Sequence, residues 1–271
     1  MKSLFLFIIM NIVINNIQKA ECFTAIFQHI KLMTENINIM FEEDRLYVQS
    51  MDSARISIFE IIIPCTWFDE YTRTNDCNIT IGINSTILYK ILNARDKAQT
   101  VKINYDQGTD DKLAIHFTGE DTASFDKHFE VPLVDVEMDL MGIPTIDYQA
   151  EMSLPSPYFA SIINQLKMFG DTMEIQCSEE KIMLYSTSIE SGKMCVEMKI
   201  DDLTSFSINE GDELKLSFSL AYLHNICMYN KLSKDIEIKV STNYPLRIDY
   251  DIGDGAKIVY FLAPKLEDND D

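Results

Sequence analysis

A chain of 271 residues, 46% of them hydrophobic, carries enough apolar side chain for packed cores, which excludes wholesale disorder. The length fits one or two domains, and 9 glycines and 7 prolines leave little material for flexible linkers. A net charge of −20 argues, as an average, against a nucleic-acid binder, so any polyanion site has to be local. From the amino end, Met1–Ile14 has the form of a signal peptide, with Lys2 before an apolar run and Ala20 as a small residue near a cleavage point. Phe23, Ile26, Phe27 and Ile30 then fall at i, i+3, i+4, i+7, which predicts a helix over 21–34. Alternating segments at 36–41, 45–50 and 54–63 predict strands, and 64–75 reads as a turn-rich excursion whose Trp67 is assigned to packing. A helix over 84–97, strands at 100–106 and 112–118, and an alternating segment with Phe125, Phe129 and Val131 complete this half.

The same order then returns about 136 residues later. Phe159, Ile162, Ile163 and Leu166 repeat the first stripe within a helix over 156–169, and Tyr222, Leu223, Ile226 and Cys227 repeat Ile87, Leu88, Ile91 and Leu92 within a helix over 219–232. The chain therefore reads as a duplicated α+β unit, with domains at 10–132 and 148–271, an interdomain connector at 133–147 and an acidic tail. In the second copy a strand at 148–154 precedes its helix, so 11–17 is expected to be the matching strand of the first. Cleavage near Ala20 would remove that strand and leave a sheet edge bare, which weighs against secretion. Residues 1–9 read instead as an extension, or as the product of a start upstream of Met10. The apolar run is also too short to span a membrane.

No catalytic constellation emerges. His29, His116, His128 and His224 are scattered, and Glu42-Glu43-Asp44 and Glu179-Glu180 fall where hairpin turns belong. Six cysteines show no metal-ligand spacing, so neither a metal nor a cofactor is expected. Cys22, Cys177, Cys195 and Cys227 sit among apolar or alternating positions and are expected to be reduced and buried. The triplets at Asn78 and Asn84 are of the glycosylation type and, with the even cysteine count, favour a secreted disulfide-bonded glycoprotein as a remote alternative. The four predicted helices carry Lys31, Lys90, Arg95, Lys97, Lys167 and Lys231 against Glu21 and Asp96. Helix faces ordinarily carry lysines; the alternative is a basic helical lining inside an acidic shell.

Four segments carry a resemblance: Gln49-Ser50-Met51-Asp52-Ser53, Met141-Gly142-Ile143-Pro144, Tyr244-Pro245-Leu246, and Tyr260 through Asp268 at the end. Together with an order of elements that agrees from about Asn11 onward, they resemble the eukaryotic-type sliding clamps, the proliferating cell nuclear antigen family. The resemblance implies two similar clamp-type domains, each of two βαβββ-like units, in a ring-shaped homotrimer with helices lining the bore. It implies a non-enzymatic processivity factor that encircles duplex DNA without reading sequence, tethers DNA polymerase through short peptide motifs, is placed by a clamp loader, and works in the nucleus or, for a viral member, the viral factory.

By the same resemblance the inner face would hold Lys31, Lys90, Arg95, Lys97, Lys167, Lys231 and Lys265. The partner-peptide pocket would be built from Met51, Arg55, Ile56 and Ile58, from Met141 and Ile143 of the connector, and from Pro245, Phe261, Leu262, Ala263, Pro264 and Leu266. Ile56 and Ile58 also fit ordinary core, whereas Met141, Ile143 and 262–264 are expected in exposed irregular segments. The subunit joint would pair the segment of Phe129 and Val131 with that of Met194, Val196 and Met198. Departures from the family pattern suggest a divergent or viral member. Thr24, Ala25, Ser161, Asn164, Ala221 and Met228 occupy usually basic positions, Glu179 replaces a modifiable lysine with Lys181 close by, and Arg55 replaces a histidine, favouring an acidic partner peptide. A clamp relative acting as a monomer or dimer is the runner-up.

Overall fold

The computed structural model describes residues 7–74, 78–107, 111–119, 125–137 and 139–265. Residues 1–6, Cys77 and the segment from Leu266 onward lie outside them. The chain is α+β and divides into two compact units. The first contains 1–53, 60–140 and 252–257; the second contains 54–59, 141–251 and 258–271.

The first unit follows β1 (Phe7–Ile14), α1 (Ile17–Ile30), β2 (Asn36–Phe41), β3 (Arg45–Met51) and β4 (Ser57–Pro64). A 3-10 turn (Cys65–Trp67) leads to β5 (Glu70–Arg73), and then β6 (Ile79–Asn84), α2 (Ser85–Leu92), β7 (Thr100–Gln107), β8 (Lys112–Thr118) and β9 (Lys127–Pro132) repeat the pattern. The 64–75 excursion thus contains a strand, which pairs antiparallel with β1. One sheet has the order β5-β1-β7-β8-β9, while β4, β3, β2 and β6 lie side by side. The helix begins at Ile17 rather than 21, because Asn16 caps it: its Oδ1 accepts from the Lys19 N–H at 3.0 Å. The preceding strand is correspondingly earlier than the 11–17 expected from the repeat.

Helix α1 buries Phe23, Ile26, Phe27 and Ile30, the stripe read from the sequence. Around Phe23 an aromatic cluster forms with Phe27, Trp67 and Phe68, at centroid distances of 5.0 to 6.5 Å. Trp67 is buried, as packing requires. Its carbonyl accepts from Lys19 Nζ at 2.8 Å, and the same ammonium pairs with Asp254 at 2.7 Å. Asn84 caps α2 by accepting from the Thr86 and Ile87 N–H groups at 3.1 Å each, and its amide donates to Asn36 Oδ1. The nitrogen that a glycan would use is therefore engaged.

The second unit repeats the scheme with β10 (Ala150–Pro155), α3 (Ser156–Leu166), β11 (Thr172–Cys177), β12 (Lys181–Ser188) and β13 (Gly192–Lys199). A 3-10 turn (Ile200–Asp202) and β14 (Ser205–Ile208) follow. Then come β15 (Leu214–Ser219), α4 (Leu220–Ile226) with a 3-10 extension (Cys227–Lys231), β16 (Asp235–Val240), β17 (Leu246–Gly253) and β18 (Ala256–Leu262). One sheet has the order β13-β12-β11-β15, and β14, β10, β16, β17 and β18 run side by side. Pro157 in the first turn of α3 suits a position whose N–H has no intrahelical acceptor. Phe159, Ile163 and Leu166 are buried, and Tyr229 packs between Tyr250 and Tyr260 at 6.1 and 5.6 Å. Among the described residues no helix is long and apolar enough to cross a membrane.

The described cysteines, 22, 65, 177, 195 and 227, are free thiols. Burial pushes Cys22 and Cys177 up to about 11 and Cys227 to about 12. Cys195 corrects the expectation of burial: it lies on the solvent side of β13 and is exposed. At about pH 8, iodoacetamide is expected to alkylate Cys195 rapidly and to spare Cys177 and Cys227 until denaturant is added. Peptide mass mapping checks this, and early labelling of Cys227 would contradict the packing.

Candidate functional site

The helices are shorter than expected and their bodies close to neutral, so most of the basic residues expected on them lie at or beyond their ends. Lys19 and Lys90 lie within α1 and α2, and Lys19 is already tied to Asp254. Lys31 and Lys167 are instead the C-caps of α1 and α3, Arg95 and Lys97 follow α2, and Lys231 ends the 3-10 extension of α4. Cations there complement the negative end of each helix dipole. Lys31 Nζ sits 3.9 Å from the Tyr89 ring centroid, which joins the ends of α1 and α2. Arg95 is committed locally: its Nη1 donates to the carbonyls of Asp96, Lys97 and Gln99 at 3.2, 2.7 and 3.0 Å. Burial lowers its pKa. Lys265 donates to Thr172 Oγ1 at 2.6 Å.

Two further residues of the second unit, Tyr158 and Lys234, were missed. A groove of about 500 Å³ at the start of α3 is lined by Pro157, Tyr158, Asn230, Lys231 and Lys234, among others. Tyr158 is 68% exposed there, an unusual position for an aromatic ring. The Lys231-Leu-Ser-Lys234 spacing was the available signal. Nearby, the His224 and Asn164 side chains meet at 2.7 Å, with Nδ1 donating to the amide oxygen. Burial, then the Lys167 charge, lowers the His224 pKa.

The pocket residues divide differently from expectation. Arg55, Ile56, Ile58, Met141, Ile143, Pro245 and 261–264 fall in the second unit, and Met51 in the first. Ile56 is 40% exposed rather than core, and its carbonyl accepts the Ala263 N–H at 3.1 Å. Leu262 is the reverse: with Phe261 it ends β18, and the two are 0% and 6% exposed, because the strand runs on further than the irregular tail the sequence suggested. Ala263, Pro264, Met141 and Ile143 lie in irregular backbone, with Ala263 exposed and the other three half-buried. Arg55 has φ 59°, a left-handed conformation uncommon for any residue with a Cβ, and it is exposed. Leu266 lies outside the described residues.

The chain leaving β9 is pinned to the first unit. Val134 N donates to the Gly82 carbonyl at 2.9 Å, and Asn38 Nδ2 donates to the Val136 carbonyl at 3.0 Å. Gly82 has no room for a Cβ, which would overlap the Val134 carbonyl oxygen.

β9 and β13 are each the terminal strand of a sheet. Val131 and Met198 are buried within their own units, so Phe129, Met194 and Val196, all half-buried, are the apolar side chains left to a joint. The hairpin of β8 and β9 also corrects the scattering of the histidines. His116 and His128 are register partners, with their Nδ1 atoms 2.7 Å apart. Burial, then the neighbouring His128, lowers the His116 pKa. Among the described residues no group of three or more His, Cys, Asp or Glu could hold a metal ion.

Two units, each of paired βαβββ elements with two helices, define a sliding-clamp architecture. The model of the proliferating cell nuclear antigen N-terminal domain matches residues 13–141, and that of the C-terminal domain matches 142–265. The chain therefore belongs to the proliferating cell nuclear antigen family. It is similar to the proliferating cell nuclear antigen of Chaetomium thermophilum, with 24% identity over 259 residues, covering 94% of this chain and 98% of that protein.

Two predictions follow from these placements. Gly82→Ala should push 133–136 off β6 and destabilise the protein by about 1–3 kcal/mol, the usual cost of overpacking; an unchanged urea midpoint would refute the close approach. His116 and His224 both have lowered pKa values, so the unfolded chain binds more protons than the folded one. Their contribution is complete above the ordinary histidine pKa and is lost as pH falls through the depressed values. Stability should decline from roughly pH 7 to 5, and the His116→Gln/His224→Gln double variant should flatten that slope.

Proposed function

We propose that the protein is a DNA sliding clamp: a ring of identical chains that encircles duplex DNA without reading its sequence and tethers a DNA polymerase. The observation that supports this reading is that two of the terminal strands, β9 in one unit and β13 in the other, are each paired on one side alone among the described residues. A head-to-tail joint between different edges generates a ring when the rotation closes, and three two-domain chains supply six similar units. Each edge presents half-buried apolar side chains, Phe129 on one and Met194 and Val196 on the other, beside an unused ladder of backbone groups.

Lysine contacts to phosphate suit a clamp because they carry no base information and let the ring slide. Lys31, Lys90, Lys97, Lys167, Lys231 and Lys265 are assigned to this task, with Arg95 reduced to a loop-stabilising role and Lys234 added. The exposed Ile56 and Ala263, with Met141, Ile143, Pro264 and Pro245, are assigned to a docking surface for the apolar residues of partner peptides. Ile58 and the buried Phe261 and Leu262 are assigned to the same surface. Arg55 beside it favours an acidic residue in the peptide. The action is binding, without catalysis, at the site of DNA replication in the nucleus or a viral factory, and a clamp loader opens the ring.

Light scattering combined with primer extension by the cognate polymerase tests the reading. A trimer mass is expected, with long products on circular primed DNA and their loss on linear DNA with free ends. A monomer mass that supports equal synthesis on both templates would overturn the ring in favour of a non-encircling processivity factor.

A further inference from the structure

We infer that His116 and His128 form a two-imidazole site for a borderline divalent transition-metal ion, Cu²⁺, Ni²⁺ or Zn²⁺, on the solvent face of the β8–β9 hairpin. The inference stands on the hairpin alone and not on the clamp reading.

The register places the two residues directly opposite each other on antiparallel strands. Their ring centroids are 4.9 Å apart and the planes meet at 63°, with Nδ1 facing Nδ1 at 2.7 Å. Without an ion, one Nδ1–H donates to the lone pair of the other ring. For an ion to enter, the donor ring shifts its proton to Nε2, and both Nδ1 lone pairs become ligands with no net proton released. Two imidazole nitrogens bound at about 2.0–2.1 Å stand about 2.9 Å apart when the bonds meet at a right angle. The hairpin already holds them within a few tenths of an ångström of that spacing. This is the preorganisation that a flexible surface pair lacks.

The surroundings leave a bound cation open to solvent. His128 is exposed and His116 half-buried, which leaves the outer coordination positions to water. On β7, Lys102 is the register partner of His116 and opposes a cation, whereas the Asp106 charge favours one. Glu130 is held by Lys112 at 3.0 Å, and Asp126 accepts from the Gly119 N–H at 3.3 Å, so neither carboxylate is a poised ligand. Imidazole donors select ions of the Zn, Cu and Ni group over Mg²⁺ and Ca²⁺, and Cu²⁺ binds tightest in that series. The bound ion would tie the terminal strand β9 to β8 through side chains as well as backbone.

The test uses the full chain carrying Cys195→Ser, which removes the exposed thiol as a competing ligand. Titration calorimetry with Cu²⁺ is expected to show one saturable ion per chain and a rise in Tm, because the ion binds the folded state. Electron paramagnetic resonance should show coupling to two equivalent imidazole nitrogens. His128→Gln and His116→Gln, each at a solvent-facing position, should each weaken binding at least ~10-fold, since even outer-shell changes cost that much. His29→Gln/His224→Gln should leave it intact. Absence of saturable binding, a single-nitrogen signal, or affinity that survives both His128→Gln and His116→Gln would overturn the site.

Discussion

Each half of the molecule depends on burying one apolar helix stripe against strands. Phe23, Ile26, Phe27 and Ile30 supply it in the first unit, and Phe159, Ile163 and Leu166 in the second. Helices of 8 and 7 residues, such as α2 and α4, are too short to persist alone in water. They exist because the sheet accepts their apolar faces, and the sheet in turn gains a covered side. Fully buried side chains of this kind each contribute about 1.5–3 kcal/mol of transfer free energy.

What that burial leaves open is as informative as what it closes. Among the described residues, β9 and β13 keep a row of backbone groups without a strand neighbour, a hazard in any soluble protein. Their solvent faces carry charges, with Glu130 on one and Lys193, Glu197 and Lys199 on the other. Such charges discourage random pairing while permitting a partner with a matched pattern. The His116–His128 pair joins β8 to β9 through side chains beside their backbone ladder.

Charge follows a similar economy. With −20 on the chain, positive residues gather where helix carbonyls end, at Lys31, Lys167 and Lys231. The dipole that stabilises them there also fixes their location, so these basic side chains lie at helix ends rather than along helix bodies. Glu42, Glu43 and Asp44, and likewise Glu179 and Glu180, occupy hairpin turns in both units; Glu42 is held there by Arg45 at 2.6 Å, and Glu179 accepts from the Gly211 N–H at 2.8 Å.

The sequence by itself determined the duplication, the α+β class, the order of helices and strands and the apolar stripes, because periodicity is a local property repeated over many residues. The turn position of the carboxylates and the packing role of Trp67 were legible for the same reason. Only the tertiary structure decided which strands are terminal and which flanking residues are covered. It buried Leu262, exposed Ile56 and Cys195, spent Arg95 on its own loop and set His116 against His128. Each of those outcomes depends on register or on a neighbour distant along the chain, and a one-residue slip in a strand would reverse it.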